Sequence, residues 1–127
     1  MKQTFQKEER LCSKLLIDRL FHSGSSFIVY PFRIVFLPVD KKLPHGVQLL
    51  ISVPKRKVRH AHKRNQIKRK IREAYRLQKA ELLYTKIKAK PINLVMAIQY
   101  VATQDMPFEQ YFDNMRKALN QVAHEVA

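Results

Sequence analysis

Carboxylates are scarce in this chain: ten Asp and Glu stand against 25 Lys and Arg, giving a formal charge of +15 at neutral pH over 127 residues. Asp18, Asp40, Asp105 and Asp113 are scattered, and none has a second acid at motif spacing. That argues against a metal-dependent nuclease centre within this chain. Glycine is scarcer still, with only Gly24 and Gly46, so a glycine-rich phosphate loop is excluded. The one cysteine, Cys12, cannot form an internal disulfide, which agrees with a reducing compartment. Nothing beside it in sequence marks an activated thiol, and it reads as a half-buried helix residue. No apolar stretch reaches the roughly 18–20 residues of a membrane span. The opening MKQTFQKEER also lacks the apolar core and small-residue cleavage site of a signal peptide, so a cytoplasmic protein is expected.

What is present is enough apolar sequence, 46%, to fill one core. The expectation is a single domain over 1–127, with 1–10 as a flexible basic tail. Leu11, Leu15, Leu16, Leu20 and Phe21 recur at helical spacing up to Ser23-Gly24-Ser25, predicting a first helix over about 11–22 with Gly24 as its C-cap. FIVYPFRIVFLPV (27–39) is rich in aromatic and β-branched residues and predicts a short strand and a better one at 32–37. VQLLISV (47–53) is almost continuously apolar, which predicts a third strand in a central position. A long helix follows from Ala61 to about Tyr84, then a strand over 92–102. The last helix, 107–126, opens on Pro107, with Phe108, Tyr111, Phe112, Met115, Leu119 and Val122 as its apolar stripe. The order αβββαβα describes a two-layer α+β sandwich, helices packed on an about four-stranded, mostly antiparallel sheet.

The charge is concentrated. Residues 54–76 hold 11 of the 25 Lys and Arg. Around the second helix, Ile67, Ile71, Ala74, Gln78 and Leu82 fall on one side, and Asn65, Lys68, Arg69, Arg72 and Arg76 on the other. Solvated helix faces usually mix both signs to gain i,i+4 pairs, and a stripe of one sign suits a phosphate backbone better. His60 and His62 form His-x-His, but His22, His45 and His124 are distant in sequence, so a metal site is not expected. Zinc-finger spacing, heptads and a short helix-turn-helix are all missing, which disfavours duplex DNA. An interfacial membrane helix would need lipid-facing apolar residues, whereas Ile67 and Ile71 suit packing on a sheet.

Ile51-Ser52-Val53-Pro54-Lys55-Arg56-Lys57-Val58, followed by Ala61-His62-Lys63-Arg64-Asn65-Gln66-Ile67-Lys68-Arg69-Lys70-Ile71-Arg72-Glu73, resembles the signature of the bacterial ribonuclease P protein subunit. That signature is Ser-Val-x-Lys at a strand end, then Ala-x-x-Arg-Asn-x-x-Lys-Arg-x-x-Arg on a helix. The chain departs from it at Gln66, where Arg is common, and at Arg59, near a frequent Gly. The resemblance implies a left-handed βαβ crossover and a role without protein catalysis. In that family the RNA subunit removes the 5′ leader of precursor tRNA with Mg2+, and no metal is held tightly by the protein. The implied partners are the RNA subunit and precursor tRNA, with no membrane and no obligatory protein partner. Carried onto this chain, the resemblance assigns RNA-subunit binding to Arg64, Asn65, Lys68, Arg69 and Arg72, with Arg76 on the same stripe and Ser52, Lys55 and Arg56 at its margin. It assigns the leader to Ile17, Phe21, Arg33 and Val35, although Ile17 and Val35 suit a core equally well. The competing readings are a general RNA-binding structural protein, such as a ribosomal one, and a DNA-binding or membrane-surface protein.

Overall fold

The computed structural model describes residues 5, 7–90 and 92–126. Helix α1 spans Lys14–Ser23, strands β1 and β2 span Ser25–Val29 and Phe32–Val39, and β3 spans Val47–Ser52. Helix α2 covers Ala61–Lys79 and runs through a π turn, Ala80–Tyr84, into a short α3, Thr85–Lys88. Strand β4, Asn93–Tyr100, and helix α4, Phe108–Val126, complete the order. The sheet order is β1-β2-β4-β3; β2 is antiparallel to both neighbours, and β3 is parallel to β4. The sheet is four-stranded, and two of its three pairings are antiparallel, in keeping with the expected mostly antiparallel sheet; the β3–β4 pairing makes it mixed.

Strand alternation sends side chains to two faces, and each face has its own core. On one, Phe32, Ile34 and Phe36 of β2 and Leu94, Met96 and Ile98 of β4 are buried with Ile67 and Ile71 of α2 and Met115 and Leu119 of α4. On the other, Val35, Val39, Val95 and Ala97 are buried with Leu16 and Leu20 of α1. Helices therefore cover both sides of the sheet, α1 on one and α2 with α4 on the other, which corrects the expected two layers to three because both strand faces are apolar. In α4 the predicted Tyr111, Met115, Leu119 and Val122 are buried, and Phe108 and Phe112 are half-buried.

The position of β3 corrects the expectation of a central strand. It lies at the sheet edge, and its apolar run has a different origin: Val47 and Leu49 join the α2/α4 core while Leu50 packs against the α1 core. The edge is partly covered, because Arg10 bridges Leu49 and the Leu11 amide donates to the Leu49 carbonyl at 2.9 Å. Leu11 is thus buried beside β3 and lies outside α1 rather than being its first residue. The helix begins only at Lys14, where the Ser13 hydroxyl accepts from the Leu16 amide. Cys12 precedes the helix and is exposed, contrary to the half-buried helical position expected of it.

Part of the predicted tail is fixed as well; residues 1–4 and 6 lie outside the described residues. Lys7–Glu9 form a 3-10 turn, and the Glu9 carboxylate is buried against the Lys79 ammonium at 2.5 and 2.6 Å. Lys79, 2% exposed, also lies over the rings of Phe5, Tyr75 and Tyr84. The Tyr84 hydroxyl donates to Glu9. Burial, then Tyr75 and Glu9, push this phenol well above its ordinary range, which keeps it protonated as a donor. Helical period alone puts Ile67, Ile71, Ala74 and Gln78 in the core, and they are there; Tyr75 and Lys79 are buried beside them, and Leu82 only partly.

Gly24 ends α1 as expected, its amide donating to the Leu20 carbonyl at 2.8 Å, but with extended backbone (φ −72°) rather than a left-handed cap. The reason for glycine is proximity. A Cβ there would run into the Leu20 carbonyl oxygen and lie 3.0 Å from Val35 Cγ1 and 3.1 Å from the Phe36 carbonyl. Gly24→Ala should cost about 1–3 kcal/mol through overpacking, measured by urea unfolding. A loss near zero would mean that the α1–β1 joint relaxes freely.

Candidate nucleic-acid interface

The approach to α2 is a fixed loop. Lys57 and Val58 amides donate to the Pro54 carbonyl at 3.0 and 3.1 Å, and Val58 is buried in the α2/α4 core. From the helix, the Arg64 guanidinium donates to the carbonyls of Val58 (3.0 Å) and Arg59 (2.7 Å). Arg64, predicted to grip RNA, therefore also locks the loop that presents Lys55, Arg56 and Lys57. His45 is the only non-glycine with positive φ among the described residues, so Arg59 occupies its position without a glycine-type backbone.

Along α2, Asn65, Gln66, Arg69 and Arg72 are exposed, and Lys68 is half-buried. Among the described residues no acid pairs with Lys63, Lys68, Arg69 or Arg72. Two neighbouring cations are committed within the protein. Lys70 reaches Asp105 at 3.0 Å and the Met106 carbonyl. Burial opposes the charge on Asp105, but hydrogen bonds from Tyr111, Lys70 and the Met106 amide outweigh it and hold the carboxyl below its ordinary value. Arg76 pairs with Glu73, and its hydrogen bond draws that carboxyl down as well. Of the predicted stripe, Arg76 is thus the member that carries its own counter-charge.

The leader candidates separate in the structure. Val35 is 3% exposed and Ile17 half-buried; both belong to the α1 core, Ile17 at its rim. Phe21 remains 43% exposed near the end of α1. Arg33 sits in a row that strand register builds across the whole sheet: Ile28 of β1 opposite Arg33 of β2, Arg33 opposite Gln99 of β4, and Gln99 opposite Ser52 of β3. These four share the α1 face by alternation, one row beyond the residues α1 buries. The Arg33 guanidinium donates to Gln99 Oε1 at 2.7 Å and faces the Ser26 hydroxyl. Ile28 is 64% exposed. A cleft of about 260 Å3, lined by Arg33, Gln99, Arg56 and Lys57, joins this row to the basic loop.

Ser52, predicted at the margin of the helix site, is brought instead to the row containing Arg33. Ile28 and Gln99 were missed. Their only sequence signal is alternation within β1 and β4, which becomes informative once the register is known. Among the described residues no three His, Cys, Asp or Glu side chains come together as a metal site, and no helix is long and apolar enough to cross a membrane.

The surface so described belongs to a chain with clear relatives. The Ribonuclease P family model matches residues 5–123. The chain is similar to the ribonuclease P protein component of Porphyromonas gingivalis, with 35% identity over 120 residues covering 94% of this chain and 87% of that one. It is also similar to that of Chlorobium phaeobacteroides, 30% identical over 132 aligned positions, 97% and 88% covered. In fold it resembles the RNase P protein of Staphylococcus aureus, with a TM-score of 0.69 at 21% identity, covering 92% of this chain and 96% of that one. The Thermotoga maritima RNase P protein gives 0.67 at 20% identity, with 89% and 96% covered.

Proposed function

The chain belongs to the ribonuclease P protein family, and from that premise we propose that it docks on the ribonuclease P RNA and holds the 5′ leader of precursor tRNA beside it. The observation that carries this reading is the basic loop before α2: Arg56 and Lys57 share a cleft with Arg33 of the open row, and Arg64 of α2 holds that loop through the Val58 and Arg59 carbonyls. Lys68, Arg69 and Arg72, which have no acidic partner among the described residues, suit the phosphates of a folded RNA. An open sheet row with a cation, an amide and an exposed Ile suits a single strand, read loosely through stacking and backbone contacts. The first turn of α2 carries His62 and Lys63 and no acid, which the helix dipole disfavours unless an anion lies there.

In this reading the protein makes no bond and breaks none. Magnesium held by the RNA would supply the chemistry at the phosphodiester, by activating water. The residues of this chain lower the repulsion between two polyanions and fix where the leader runs. They thereby reduce the magnesium concentration the RNA needs.

The test is reconstitution with a bacterial ribonuclease P RNA, at magnesium where the RNA alone is nearly inactive. Correctly placed 5′ leader removal is expected on adding the protein. Binding without restored cleavage would reduce the role to general RNA binding. For the leader surface, Phe21→Ala should weaken precursor tRNA binding by about tenfold, as loss of one stacked base would, and leave mature tRNA unchanged. Equal losses for the two would remove Phe21 from the leader path.

A further inference from the structure

On the side of β3 away from β4 lies a pocket of about 230 Å3. This is smaller than the roughly 300–1,000 Å3 of sites for drug-sized ligands, and suits one planar ring system. Its apolar wall comes from Phe5, Leu50 and Ile51, and its cations are Arg10 from the N-terminal segment and Lys68 and Arg72 from α2. Among the described residues no carboxylate lines it. The Phe5 ring is braced edge-on against Tyr75 at 5.8 Å.

The strand edge adds hydrogen-bonding groups. The Leu49 carbonyl points outward, since it accepts from the Leu11 amide. Backbone groups alternate sides along a strand, so the amide and carbonyl of Ile51, two residues on, face the same edge. A donor and an acceptor beside an apolar wall match the edge and face of a nucleobase. Three cations match its phosphate.

We propose that this pocket takes one unpaired nucleotide of the RNA subunit, with the base against Phe5, Leu50 and Ile51 and the phosphate among Arg10, Lys68 and Arg72. The proposal rests on the RNA-binding reading above and assigns that interface a second, base-inserting contact beyond the phosphate stripe. It makes the N-terminal segment part of the RNA interface, held in place by the buried Glu9–Lys79 pair.

Cys12 lines the pocket and is exposed, so its alkylation by iodoacetamide reports occupancy in the full chain. With saturating ribonuclease P RNA, the rate should fall by about tenfold or more, as for a site closed by a stacked base. If the RNA binds with full affinity and Cys12 reacts at the free-protein rate, the pocket proposal is overturned while RNA binding stands. If no RNA binds, both readings fail together. A short single-stranded RNA and an abasic chain of the same length then separate base from phosphate. Protection by the base-bearing strand alone is expected, and equal protection by both overturns base insertion.

Discussion

Replacing Lys68, Arg69 and Arg72 together with Ala lowers affinity for the ribonuclease P RNA by roughly a thousandfold at moderate salt. The figure follows from three charge-assisted contacts at about 1.5 kcal/mol each, the low end for hydrogen bonds to charged groups. The slope of log affinity against log salt should fall by about 2–3, at 0.7–0.9 per lost phosphate contact. These three residues are chosen because no acid pairs with them among the described residues. Arg64 is left in place because its guanidinium holds the carbonyls of Val58 and Arg59, and its loss would disturb the loop as well as the charge. Titration at four or five salt concentrations checks the result. An unchanged slope would take the stripe out of the RNA interface whatever happened to the affinity.

Glu9→Ala destabilises the fold by about 3–5 kcal/mol, the range for breaking a buried ion pair by removing one partner. Against total stabilities of roughly 5–15 kcal/mol for a domain, that is enough to populate unfolded chains. The effect should be unequal between the partners. Lys79 is fixed in α2 among Phe5, Tyr75 and Tyr84, and its ammonium has no short route to water. Glu9 sits on a three-residue turn near the chain start, so in Lys79→Met its carboxylate can swing out, at a smaller loss. The double variant Glu9→Leu/Lys79→Met should recover most of the stability of the single Glu9 change, since an apolar pair of similar volume often replaces a buried ion pair without penalty. Urea unfolding of the three variants measures this. Losses below about 1 kcal/mol for both single variants would mean that the pair is solvated on average and does not pin the N-terminal segment.

Most of what could be read from the chain alone depends on local period. The amphipathic stripe of α4, the split of α2 into an apolar side and a cationic side, and the alternation of the strands follow from fixed repeats of 3.6 and 2 residues. The signature residues from Ser52 to Arg72 are legible through their resemblance to the family, and their spacing is local because they lie within one strand, one loop and one helix. A local pattern misleads where it has two tertiary explanations. Continuous apolar sequence in β3 reads as a central strand, yet it comes from an edge strand with one core on each face and the Arg10–Leu11 segment alongside. The basic tail reads as flexible because nothing in its sequence shows that Glu9 meets Lys79, 70 residues away.

By itself, then, the sequence determined the order of the elements, the faces they bury and the helix on which the positive charge is collected, because backbone geometry imposes those periods on any chain. The tertiary structure decided which cations remain available: Lys70 is drawn to Asp105, Arg76 to Glu73 and Lys79 into the core, while Lys68, Arg69 and Arg72 have no acidic partner among the described residues. It also decided that Ile28, Arg33, Gln99 and Ser52 form one row. Both outcomes depend on strand register and on ion pairs across long sequence separations, which are selected by the packing of the whole core and leave no periodic trace in the chain.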